Sequence, residues 1–126
     1  MQTHHTAAAP AAIGPYSQSI SVDGWLFSSG QIGLDPDAGE LVSADFAAQA
    51  ERVFANLEAV LASAGCRFSD VVKTTVFLAD MADFAVLNGI YARAFGDHKP
   101  ARSTVAVAGL PKGARVEIEL VARIPG

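Results

Sequence analysis

Apolar residues recur every three or four positions at Phe46, Ala50, Val53, Leu57, Val60, Leu61 and Ala64, while Gln49, Arg52 and Ser63 fall elsewhere on the circumference. That spacing predicts a long amphipathic helix over 46–64. Gly65 stands where a left-handed residue would end it. The segment 71–78, VVKTTVFL, is instead nearly all β-branched or aromatic and predicts a well-buried central strand. A second helix follows, capped from within 80–83, with Phe84, Leu87, Tyr91, Ala94 and Phe95 as its apolar face despite the helix-weakening Gly89.

On either side of this centre the period drops to two. Upstream, 17–22 and 25–29 are strand-like runs joined by Asp23-Gly24, a strong hairpin signal, and Gly30 to Gly33 continue the second run with glycines that permit close approach. Downstream, 103–107 and 115–124 read as a second hairpin across a turn at 109–113, with Val116, Ile118, Leu120, Ala122 and Ile124 alternating with Glu117, Glu119, Val121 and Arg123. Residues 1–10, MQTHHTAAAP, read as a loosely held arm broken by Pro10. The order hairpin, helix, strand, helix, hairpin predicts one α+β domain over 1–126, a mixed sheet with both helices on one face. The bare face carries apolar positions, which predicts that another copy of the chain covers it.

Composition sharpens this picture. With 126 residues, 51% hydrophobic and only 17% charged, the chain can build one core but has few charges to cover its surface alone. The net charge of −4 disfavours a general affinity for nucleic acid, with Lys99, Arg102, Lys112 and Arg115 the nearest approach to a basic patch. No apolar run approaches a membrane span, and the first ten residues lack the pattern of a signal peptide. The single cysteine, Cys66, has no activating neighbour in sequence and is read as structural; it fits a reducing, cytoplasmic setting. His4 and His5 have only the distant His98 as company, so no metal is assigned.

The candidate chemistry lies in 100–118. Pro100 holds the approach extended so that a strand can fix Arg102 at a sheet edge, and Glu117 sits at the start of the last strand. A planar fork for a carboxylate and a nearby acid-base carboxyl are what a small enzyme acting on an α-keto-acid derivative needs. Glu119, on the same face as Glu117, competes for the second role.

Pro100-Ala101-Arg102-Ser103, Leu110 and Val116-Glu117-Ile118, together with 11–18 (AAIGPYSQ), Ser29-Gly30-Gln31-Ile32, 72–78, Asp83-Phe84, Asn88 and Tyr91, resemble the Rid (YjgF) family over nearly the whole chain, and its RidA branch most. The resemblance implies a chorismate-mutase-like fold assembled as a homotrimer, with active sites between subunits. It implies a cofactor-independent enamine/imine deaminase that hydrolyses 2-aminoacrylate-type intermediates to 2-keto acids and ammonia. Arg102 then matches the arginine that binds the substrate carboxylate, and Glu117, rather than Glu119, the glutamate that activates water. Tyr16 matches a tyrosine near the pocket, and Ser29, Gly30 and Asn88 would shape the cleft from the neighbouring subunit. Thr104 departs from the cysteine common there; a role through backbone hydrogen bonds survives that change, whereas thiol-based regulation does not. A ribonuclease or translation inhibitor, and a non-catalytic binding or chaperone-like trimer, are the competing expectations.

Overall fold

A computed structural model describes all residues 1–126. The strands are β1 (Gln2–His4), β2 (Ser19–Val22), β3 (Trp25–Ser28), β4 (Val71–Leu78), β5 (Ala101–Ala106) and β6 (Val116–Arg123), with helices α1 (Phe46–Ser63) between β3 and β4 and α2 (Phe84–Phe95) between β4 and β5. They form one sheet in the order β1-β2-β3-β6-β4-β5. Neither helix is long and apolar enough to cross a membrane.

Local chemistry explains the boundaries. Asp45 caps α1 by accepting from the Ala48 N–H at 3.0 Å, and Gly65 leaves it at φ 76°. Asp23 and Gly24 both take positive φ, 51° and 81°, the turn whose twist suits a tight hairpin between β2 and β3. Both helices lie on one face of the sheet. Eighteen buried residues, among them Ala50, Val53, Leu57 and Leu61 of α1, Leu87 of α2 and Val76, Ile118 and Leu120 of the sheet, make a single core there. Each fully buried leucine contributes about 1.5–3 kcal/mol relative to exposure. On the opposite face Phe27 is 47% exposed and Val105 46%, so apolar side chains are left uncovered there.

Two expectations are corrected. The last two strands are not a hairpin: β4 lies between them, parallel to β5 and antiparallel to β6. β4 hides alternate side chains completely, whereas β5, with Arg102, Ser103 and Thr104, stays half-exposed or exposed. The more apolar strand therefore takes the interior place, and the polar one becomes the edge. The first ten residues are not a loose arm either. Gln2, Thr3 and His4 pair with Ser21, Ile20 and Ser19, and the buried Gln18 amide bonds to the Thr6 N–H at 2.8 Å and to the Pro10 carbonyl at 2.7 Å. A side-chain amide that imitates backbone ties down a segment too short and irregular to show a period.

Candidate active site

Glu117 and Arg102 stand on opposite faces of the sheet. Side chains of paired residues share a face and alternate along each strand. Glu117 pairs with Phe77, which pairs with Val105, and this set points away from the helices. Arg102 pairs with Thr74 and Thr104 with Val76, the set that faces them. Two strand spacings and three residue rises put the Cα atoms of Glu117 and Arg102 about 14 Å apart, with their side chains diverging.

The Glu117 side is a cavity of about 580 Å³, walled by Tyr16, Gly30, Ile32, Pro111, Lys112 and Glu117 among others. Lys112 on its wall takes a left-handed conformation at φ 58°. Glu117 is half-buried, and that burial, followed by the like charge of Glu119, pushes its carboxyl pKa up. Glu119 is exposed and does not line the cavity, so geometry separates the two glutamates that alternation placed together. Gly30 is the close wall: a Cβ there would lie 2.6 Å from Glu117 Oε2. Ser29 donates its hydroxyl to the Ser17 carbonyl, and its N–H bonds to the Gln18 carbonyl at 2.9 Å, which pins the loop carrying Tyr16 to the end of β3.

The Arg102 side is built on α2. Asn88 Oδ1 accepts from Arg102 Nη1 at 2.8 Å, and the guanidinium carbon lies 4.8 Å from the Tyr91 ring centre and 5.5 Å from that of Phe84. Arg102 has no carboxylate within 4.0 Å, unlike Arg115, which pairs with Asp83 at 2.8 Å. Two residues further along the same face, Thr104 Oγ1 is buried without a hydrogen-bond partner. β5 is an edge strand, so one row of its backbone N–H and C=O groups also remains open.

The expected residues therefore fall into two groups within a chain: Tyr16, Ser29, Gly30 and Glu117 on one side, Asn88, Arg102 and Thr104 on the other. Asn88 does not travel with Ser29 and Gly30, as the sequence expectation had it; its partner is the arginine of its own chain. Tyr91 and Phe84 belong to the apolar face of α2 and to the blocks that carry the family resemblance, but the sequence assigns neither a role at the site. The available signal was an aromatic stripe, Phe84 and Tyr91 at i and i+7, with a polar Asn88 at i+4 between them. Gln18 closes the 11–18 block of the resemblance, but nothing in spacing announces an amide that will bond to a distant backbone.

A family model described as endoribonuclease L-PSP matches residues 6–124. Among curated proteins, the chain is 53% identical over 117 residues to a 2-iminobutanoate/2-iminopropanoate deaminase of Homo sapiens, across 93% of this chain and 85% of that protein. Among solved structures, RidA from an Antarctic Psychrobacter shares 48% identity at a TM-score of 0.95, covering 98% of this chain and 100% of that one. TdcF of Escherichia coli with bound serine shares 40% identity at a TM-score of 0.94, covering 99% and 100%.

Proposed function

Since the chain belongs to the Rid family, the group matched by the endoribonuclease L-PSP model, we propose that it is an enamine/imine deaminase acting on 2-aminoacrylate and 2-iminopropanoate-type acids. The observation that carries this reading is Glu117: a half-buried carboxyl with a raised pKa, on the wall of a cavity that also holds the Tyr16 ring. A carboxyl poised nearer neutrality can both give and take a proton. The chemistry asks for that versatility. The enamine carbon takes a proton to give the imine, water adds at C2, and the nitrogen takes a proton and leaves as ammonia. The C2 hydroxyl then gives up its proton, and a 2-keto acid remains.

Arg102 holds the substrate carboxylate in this reading, with the open edge of β5 at Thr104 beside it. Because Glu117 and Arg102 diverge within one chain, one cleft takes Glu117, Tyr16 and Gly30 from one copy and Arg102, Asn88 and Thr104 from the next. A closed ring of three copies satisfies this, since a head-to-tail interface that closes uses both faces of every chain. The uncovered Phe27 and Val105 supply the apolar area for such contacts. The chain's net charge of −4 favours a small anion-binding site over a track along RNA. A lone buried thiol, Cys66, suits work in the cytoplasm.

The test is the decay of 2-aminoacrylate made in place by a serine-dehydratase-type enzyme, with pyruvate and ammonia as readouts. Wild type should speed the decay, and Arg102→Ala and Glu117→Ala should each remove most of that gain while remaining folded. If wild type leaves the decay of 2-aminoacrylate and its longer homologues unchanged, the deaminase reading falls and a ligand-binding role replaces it.

A further inference from the structure

We propose that Tyr91 and Phe84 are positioning residues for the substrate carboxylate, because with Asn88 they hold the Arg102 guanidinium in a cradle that carries no negative charge. The proposal rests on the assignment of Arg102 as the carboxylate binder and names what prepares it.

Phe84, Asn88 and Tyr91 occupy one stripe of α2, and all three reach the same guanidinium. Two rings present their negative faces, and a neutral amide oxygen accepts one N–H. No other arginine in the chain is held this way. Arg115 has one ring, Phe46 at 5.6 Å, but also Asp83; Arg93 has Glu51 at 3.2 Å; Arg123 has Trp25 at 5.1 Å and the Asp23 carbonyl. An acid at Asn88 would hold Arg102 more tightly, and would also compete with the substrate for it. Neutral partners orient the cation and leave its charge to be matched by the ligand.

The cradle is itself braced. The Tyr91 hydroxyl and Thr74 Oγ1 are 2.7 Å apart, with Thr74 fully buried in β4. The Tyr91 ring packs 4.7 Å from Phe95 and 5.8 Å from Phe54, so it cannot swing away from the arginine without opening the core. Burial pushes the Tyr91 hydroxyl pKa up, so it stays neutral and adds no anion to the cradle at working pH. A flexible side chain is thus ordered before substrate arrives, and binding no longer bears that ordering cost.

The carboxylate contact is the same in ground and transition states, so its loss should appear in KM more than in kcat. We would measure both for wild type, Phe84→Leu, Tyr91→Leu and Tyr91→Phe, each also in an Arg102→Lys background, with binding of 2-ketobutyrate by calorimetry as a stable probe. Phe84→Leu and Tyr91→Leu should each raise KM and the 2-ketobutyrate Kd about 5- to 30-fold, with kcat within about twofold. Tyr91→Phe, which keeps the ring and loses only the bond to Thr74, should raise both less than Tyr91→Leu does. In the Arg102→Lys background the same substitutions should add little, because the planar group they orient is gone. An equal rise in KM in both backgrounds, or none from Phe84→Leu, overturns the cradle; Phe84→Leu decides alone if Tyr91→Leu does not fold. If Arg102→Lys itself leaves KM unchanged, the assignment of Arg102 fails first, which separates the two.

Discussion

Gly30→Ala offers the sharpest test of how closely the site is built around Glu117. Gly30 does not adopt a positive φ, so an alanine there meets no backbone strain. The added methyl would lie 2.6 Å from Glu117 Oε2, 2.8 Å from Cδ and 2.9 Å from Cγ. Ordinary van der Waals contact begins at 3.4 Å, so the carboxylate must retreat by about 0.8 Å or rotate out of the cavity. Displacing a catalytic group by about 1 Å costs on the order of 100-fold in rate, so kcat should fall by roughly 10- to 100-fold. Stability should be unchanged or rise by about 0.4–1 kcal/mol, since alanine restricts the unfolded chain and the half-buried Glu117 side chain can move. Binding of a 2-keto acid should hold within about twofold, because Arg102 comes from the other face. Steady-state aminoacrylate turnover and a thermal melt would measure both effects. Repeating the substitution in a Glu117→Ala background isolates the cause: with no side chain to displace, the methyl should cost little of the residual activity. Wild-type kcat in Gly30→Ala, or an equal loss in both backgrounds, would refute the reasoning.

Three further outcomes follow from the same geometry. Burial and Glu119 raise the Glu117 pKa in the folded chain, so folding favours its protonated form, and stability is lost as pH climbs from the unfolded value through the folded one. Glu117→Gln should therefore melt higher than wild type at pH 7 while losing activity, with the gain vanishing below about pH 4; a lower melting temperature at pH 7 would contradict this. Glu119→Gln removes the like charge, so the acid limb of the pH profile of kcat/KM should move to lower pH, more at low salt than at high. A limb that stays put or moves up would return the pKa shift to burial alone. Phe27→Asp places a charge in the uncovered apolar face, and light scattering should show smaller particles with turnover lost in parallel; an active trimer would mean that this face is not the interface.

Much of the fold was legible because periodicity reports faces. The 46–64 pattern found α1 to within a residue, and the β-branched 71–78 found β4. Alternation cannot report neighbours, however. β5 and β6 both read as strands, and short sequence separation suggested that they pair, yet the apolar 71–78 strand outcompeted the polar 101–106 strand for the interior place. The candidate site could be named in sequence as residue types, Arg102 and Glu117, but not drawn as an arrangement. That they face apart follows from pairing order, which local sequence does not carry. Phe84 and Tyr91 stood in the resembling blocks without a role for a related reason: a helix presents aromatics to the core by default, and the asparagine between them is the local hint at another task.

In the proposed trimer, the divergence of Glu117 and Arg102 gives each chain two independent debts to its neighbours. A subunit that has lost its arginine still lends a sound glutamate across one interface, and a subunit that has lost its glutamate still lends a sound arginine across the other. In a closed ring of three, every mixed assembly of these two dead proteins contains one cleft in which both halves are intact. Unfolded together and refolded in equal amounts, two inactive preparations should recover roughly a quarter of the working clefts, whereas simple mixing of preassembled rings recovers them only as fast as the rings exchange subunits.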